Sequence, residues 1–222
     1  MRELSFKILQ QEAYDYIKNR ILDQTMEYNK IYSESKIALE IGISRTPVRD
    51  AVHRLYQEGL IDIIPNKGFL LHKMTERDVM ETYEVRSAIE GYCSKKAAQS
   101  NQTESVQELI RELKASLERQ ESIYRESSDE EAFSTEDQHF HYLLVAHSDN
   151  EAFLEIFSQY MYKIKKLALF SLKREGRMLH TLTEHQEILK AICAGDPQAA
   201  YEAALVHMKA PLDLHLESVY KQ

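Results

Sequence analysis

The stretch SRTPVRDAVHRLYQEGLI, residues 44–61, carries its own start, face and stop. Ser44 suits an N-cap, and Pro47 falls in the first turn, where a missing N–H costs nothing. Val48, Ala51, Val52, Leu55 and Tyr56 recur at helical spacing as one apolar stripe, and Gly59 ends the helix. Because successive residues turn by about 100°, Thr46, Arg49 and His53 fall off that stripe, and Arg45 lies near the N-terminal end.

Working outward, residues 33–41 predict a short helix with Ser33 at its start and Gly42 at its end, separated from the next helix by Ile43 and Ser44 only. Tyr14, Ile17 and Ile21 predict an earlier helix over residues 10–24, followed by a polar connection through Glu27, Asn29 and Lys30. Downstream, LIDIIP and GFLLHK are β-prone runs joined at Asn66, Lys67 and Gly68, a hairpin with Pro65 at a strand end. Helix, helix, tight turn, helix and hairpin make a winged helix-turn-helix, whose third helix enters a major groove by its N-terminal end. Arginine can grip guanine O6 and N7 bidentately, and hydroxyls at a helix N-terminus can hold phosphates. Ser44, Arg45, Thr46 and Arg49, with Lys67 and Gly68 at the hairpin tip, are therefore the candidate DNA contacts. Taken alone, Arg45 and Arg49 would read as a solvated helix face, but the tight turn and the Gly-tipped hairpin decide for DNA, and His53 stays open between a phosphate contact and none.

The chain has 222 residues, 43% hydrophobic and 29% charged, with six Gly and four Pro, which points to a mainly helical globular protein and away from an all-β sandwich. The net charge of -8 hides an asymmetry: residues 1–74 hold 11 Lys+Arg against 10 Asp+Glu, and residues 75–222 hold 17 against 26. We expect a DNA-binding domain over 1–74 and an all-helical domain of about six antiparallel helices over 75–222. No apolar run reaches the ~18 residues of a membrane span, and acids run through the N-terminal residues where a signal peptide needs an apolar segment. A cytoplasmic protein that does not contact membranes is expected. Cys93 and Cys193 lie far apart and are read as two buried free thiols.

In the acidic half, Thr75 and Asp78 make a capping-box start for a helix reaching residue 100, with Val79, Tyr83, Cys93 and Ala97 on one stripe. Arg86 and Glu90 share that stripe, and a structural salt bridge at i, i+4 is the plain reading. Residues 103–124 predict a structural helix with Val106, Leu109, Ile110, Leu113 and Leu117 in the core. In DQHFH, residues 137–141, Asp137 and His141 share a face with Phe133, Phe140 and Leu144, as a hydrogen-bonded duo or two ligands of a cation. In EHQEILKAICAGDPQAA, residues 184–200, His185 shares a stripe with Ile188, Leu189 and Ile192. The last helix places His207 beside the small Ala200, Ala203 and Ala204, with Pro211 one turn on. One shared divalent cation would satisfy Asp137, His141, His185 and His207 together, and N/O ligands of this kind accept Zn, Ni or Mn. His72, His139, His147, His180 and His215 are assigned to surface or wet-interface positions.

The 44–61 stretch followed by NKGF at residues 66–69 resembles the DNA-binding signature of the GntR family of bacterial transcription regulators, over about residues 8–74. One departure is visible: the family usually has a Pro-Gly turn before its second helix, where this chain reads QTMEYNKIYSE, residues 24–34. Residues 76–220 resemble the FCD ligand-binding domain of the FadR subfamily, in which an Asp and three His bind a divalent metal. Asp137, His141, His185 and His207 stand at the matching positions. The resemblance implies a homodimeric regulator on a palindromic double-stranded operator, with repression as the default. It also implies a small carboxylate effector that reaches the metal, with Arg86 and its stripe neighbour Glu90 as the effector-site candidates. Two other readings stand beside this one: a repressor whose signal is the ion itself, and a metal-dependent hydrolase or lyase. The hydrolase or lyase would need a general base near the metal, for which Glu90 is the one inward acid on offer, and it leaves the winged helix unexplained.

Overall fold

The computed structural model describes residues 2–23 and 25–219, with side chains over 6–23 and 25–216. Contacts along the chain cluster into two compact units, Met1–Met74 and Thr75–Gln222.

The first unit contains α1 (Arg2–Leu22), α2 (Glu34–Ile41), α3 (Arg45–Gln57), β1 (Ile61–Ile64) and β2 (Gly68–Leu71). Helix α1 starts eight residues before the expected position 10. Apolar periodicity starts late there, but good helix formers with no Gly or Pro propagate a helix beyond its buried stripe. The expected end at Gln24 lies outside the described residues. Ser33 and Ser44 occupy the N-cap positions of α2 and α3 without a side-chain capping bond, and Gly42 closes α2 at φ 72°. Val48, Ala51, Val52 and Leu55 are buried together with Ala13, Tyr14, Ile17 and Ile21 of α1. Tyr56 departs from the expected stripe: it is 51% exposed, because one further step round the helix from Leu55 carries it off the buried face.

The hairpin pairs Ile61 with Leu71 through to Ile64 with Gly68 in antiparallel register. Residue 32 adds one more rung: Tyr32 N donates to Phe69 O at 2.7 Å and Phe69 N donates to Tyr32 O at 3.0 Å. Where the Pro-Gly turn of the family is missing, Asn29 supplies the left-handed residue at φ 63°, and Glu27 N donates to Tyr32 Oη at 2.7 Å. Gly68 adopts φ 131°, and a Cβ built there would stand 2.0 Å from Tyr32 O. The hairpin tip thus requires a residue with no side chain.

The second unit contains six helices among the described residues: α4 (Glu76–Gln99), α5 (Glu104–Glu126), α6 (Glu130–Ala146), α7 (Glu151–Leu172), α8 (Arg177–Ala194) and α9 (Pro197–Val219). Thr75 and Asp78 form a reciprocal capping box at α4. Thr103, Asp129, Asn150 and Asp196 accept from backbone N–H groups at the starts of α5, α6, α7 and α9. The largest core cluster draws on all six helices, from Ala97 and Leu109 through Phe133, Phe140 and Leu172 to Ile188, Ile192 and Ala204. Each large side chain of this kind contributes about 1.5–3 kcal/mol when fully buried.

Two assignments are corrected here. Cys93 is a buried free thiol as expected, but Cys193 is exposed, one step beyond Ile192 and off the core face of α8. His215 is buried, because α9 continues through Pro211 and brings it against α7. Its Nε2 lies 2.9 Å from Leu167 O and its ring stacks on Phe170 at 4.6 Å. His139 and His180 are exposed, and His72 and His147 are half-buried. Among the described residues, no helix is long and apolar enough to cross a membrane.

Candidate metal centre and nucleic-acid interface

One helical turn of α6 places Asp137 and His141 side by side, α8 brings His185 and α9 brings His207, all four buried. One ligand atom from each lies within 4.8 Å of all the others. His141 Nε2 stands 3.2 Å from His185 Nε2 and 3.1 Å from His207 Nε2. Asp137 Oδ1 lies 3.5 Å from His185 Nε2 and 3.8 Å from His141 Nε2.

The far side of each ring faces an acceptor. His185 Nδ1 is 2.9 Å from Gln120 Oε1 and His207 Nδ1 is 2.8 Å from Glu184 Oε2. His141 Nδ1 makes a 2.5 Å ion-pair contact with Glu90 Oε2, outside hydrogen-bond geometry. His185 and His207 each point Nδ1 at an oxygen acceptor, which as neutral rings places their hydrogen there and leaves Nε2 with a lone pair toward the shared point, and His141 Nε2 faces the same point. At 3.2 and 3.1 Å from its two neighbours, His141 Nε2 meets both of these lone pairs, an arrangement that either a proton on His141 or a cation among the three rings stabilises. Nitrogen donors held at about 2.1 Å from one ion stand about 3.0 Å apart at right angles and about 3.4 Å apart at tetrahedral angles. The donor set and its spacing therefore fit a divalent cation.

The three imidazoles differ in their electrostatics: burial opposes charge on His141, yet Glu90 beside it and Asp137 raise that ring above the usual imidazole range. Burial pushes His185 well below the usual imidazole range, helped by His207 and His141, and burial likewise lowers His207, so both rings are neutral. Burial opposes the charge on Asp137, yet the hydrogen bond and charge of His141, with the other two imidazoles, hold it well below the ordinary carboxylate range. Glu90 is drawn down to about 2, because Arg86 and then His141 outweigh the burial that would raise it.

Arg86 Nε donates to Glu90 Oε1 at 2.7 Å with both side chains buried, which is the i, i+4 salt bridge expected of them. Arg86 Nη2 is buried with no hydrogen-bond partner among the described residues. Glu90 is spent on Arg86 and on the far side of His141, away from the face where the four ligand atoms meet. Three groups escaped the sequence reading. Gln120 lies on α5, a helix expected to be structural only, and the clue was a neutral polar residue continuing the Leu113 and Leu117 stripe. Glu184 accepts both Nη atoms of the buried Arg177, at 2.7 and 2.6 Å, as well as His207. Local periodicity gave no signal for that pair.

In the first unit, Ser44, Arg45, Thr46 and Arg49 are exposed at the N-terminal end of α3, and Lys67 is exposed beside the half-buried Gly68 at the hairpin. Arg45, Lys67 and Gly68 line one concavity of about 210 Å³ with Ser33, Glu34 and Asn66. Arg45 Nε donates to Glu34 Oε2 at 2.9 Å, a partner that the sequence pattern did not suggest. Arg49 makes no ion pair among the described residues, and His53 is exposed without adding to the concavity.

A winged helix-turn-helix joined to a helical bundle with a buried Asp/His cluster defines a class, that of DNA-binding regulators with a separate helical domain. The comparisons narrow it: residues 9–71 match the model of the bacterial regulatory proteins of the gntR family, and residues 81–210 match the FCD domain. The chain belongs to the GntR family of transcriptional regulators and carries an FCD domain. It is 28% identical over 186 residues to the gluconate operon transcriptional repressor of Bacillus licheniformis, across 81% of this chain and 74% of that one. Among solved structures it resembles E. coli McbR/YncC, with a TM-score of 0.70 at 18% identity, over 96% of this chain and 98% of that one. It also resembles the metal-free FCD domain of TM0439, with a TM-score of 0.54 at 22% identity, over 68% of this chain and 99% of that one.

Proposed function

We propose that this regulator is a cytoplasmic homodimeric repressor of the FadR subfamily whose operator affinity is set by a small carboxylate bound at a divalent metal. The observation that carries the reading is the convergence of Nε2 of His141, His185 and His207 with Asp137 Oδ1, while each Nδ1 faces an outer oxygen. Asp137, His141, His185 and His207 hold the ion, which can be Zn, Ni or Mn, and the ion supplies a positive centre for a carboxylate oxygen. Arg86 adds its buried, unpartnered Nη2 as a second cationic contact for the acid, and Glu90 holds that guanidinium in place. The likeness to a gluconate operon repressor supports an organic acid as the signal.

On the DNA side, Arg45 and Arg49 read bases in the major groove, Ser44 and Thr46 hold phosphates at the start of α3, and Lys67 with Gly68 forms the wing contact. Two such units meet successive grooves of a palindromic operator. The effector acts by binding one arrangement of the dimer better than the other, and a coupling of about 1–3 kcal/mol suffices.

The test is a native mass spectrum of the full chain purified without chelator, beside His185→Ala. We expect a dimer with one transition-metal ion per chain, and loss of that ion together with its thermal stabilisation in the variant. A wild-type chain that takes up no added Zn, Ni or Mn overturns the metal reading, and a full metal complement in His185→Ala removes that ligand.

A further inference from the structure

The three imidazoles of the cluster differ in what stands behind them. His141 and His207 each lean on a carboxylate that also serves an arginine, Glu90 with Arg86 and Glu184 with Arg177. His185 leans on an uncharged amide. Gln120 is completely buried, its Oε1 is 2.9 Å from His185 Nδ1, and its Nε2 points the other way, donating to Ser116 Oγ at 3.4 Å. Ser116 Oγ in turn donates to the backbone carbonyl of Glu136 at 3.5 Å, next to the ligand Asp137. The amide therefore has one orientation that satisfies both ends, with oxygen toward the imidazole. The Phe140 ring stacks on His185 at 4.2 Å and 9° between planes, so a hydrogen bond at Nδ1 fixes the remaining freedom, rotation of the ring within its own plane.

We propose that Gln120 is a positioning residue of the metal centre. It holds His185 in the Nδ1–H tautomer with Nε2 facing the ion, and its neutral amide makes His185 the weakest electron donor of the three rings. An outer acceptor orients a ligating imidazole and raises its basicity, and a carboxylate does so more strongly than an amide. The inference rests on the metal reading above and adds to it a residue on α5, a helix that supplies no ligand.

Two measurements on the full chain test it. Nickel affinity, read by competition with a chromogenic chelator, should fall about 10- to 100-fold in Gln120→Ala and return to the wild-type value or beyond it in Gln120→Glu. A purely structural Gln120 predicts that both variants lose affinity, because a buried carboxylate perturbs packing as much as a truncation does. Wild-type affinity in Gln120→Ala, or a loss in Gln120→Glu equal to that in Gln120→Ala, overturns the proposal. Independently, the long-range proton–nitrogen spectrum of the metal-free wild-type chain should show His185 protonated on Nδ1. A His185 protonated on Nε2 overturns the proposal whether or not either variant folds. Failure of the wild-type chain to take up nickel, zinc or manganese strikes the metal reading itself, whereas normal uptake unchanged by Gln120→Ala strikes the role of Gln120 alone.

Discussion

The winged unit and the helical bundle assemble their candidate sites in opposite ways. In the winged unit, Ser44 to Arg49 are neighbours on one helical end, and Lys67 and Gly68 come from the next hairpin. In the bundle, four candidate ligands come from α6, α8 and α9, and the groups behind their rings come from α4, α5 and α8. The first site is exposed and its side chains are almost unconstrained, apart from Arg45 on Glu34. The second is buried, and each of its imidazoles is held against a further polar side chain. A site built from contiguous sequence tolerates change one residue at a time, whereas a buried polar network fails as a unit when any partner is lost.

That contrast can be broken by substitution. The largest effect is expected from Glu90→Ala, which leaves the Arg86 guanidinium buried without its counter-charge and should cost about 4 kcal/mol, with weaker metal binding as well. Denaturant unfolding of the full chain checks it, and a shift below about 1 kcal/mol would mean that the bundle is no more tightly coupled than a surface pair. Next comes Gly68→Ala in the winged unit. A left-side backbone conformation together with a methyl group forced against Tyr32 O should cost about 3 kcal/mol, read as a lower unfolding midpoint with metal content unchanged. The smallest is Arg49→Ala, an exposed residue. Operator affinity, on a site selected from random DNA, should fall by about 1–3 kcal/mol with no change in stability or bound metal. Unchanged operator affinity would take Arg49 out of the reading head and leave Arg45 as its one arginine.

The same contrast explains what could be read in advance. The positions of α2, α3 and the hairpin follow from Ser44, Pro47, Gly42, Gly59 and the alternating run after it, all local signals. In the bundle, caps such as Thr75, Asp129 and Asn150 and the inward faces of Asp137, His141, His185 and His207 are also local, a matter of spacing on one helix. Which faces meet is not local. Nothing in the order of residues 104–126 says that Gln120 will reach His185, 65 positions away, or that Glu184 will reach back from His185's own helix to His207. His215 was misplaced for the same reason: its partners, Leu167 and Phe170, lie on another helix. Tyr56 and Cys193 fail differently, each adjacent to a buried residue and one step beyond the face that packs.

The hairpin tip bears on how substitution data from this unit should be interpreted. Position 68 sits beside Lys67 in the concavity that also holds Arg45, and its tolerance for other residues is set by Tyr32 O at 2.0 Å from any Cβ. Selection acting there would leave a glycine as fixed as a base-reading arginine, for want of space and not for any hold on DNA. A survey that scores residues by how rarely they change would credit Gly68 with recognition, while Arg49, free to vary with each operator, would look dispensable.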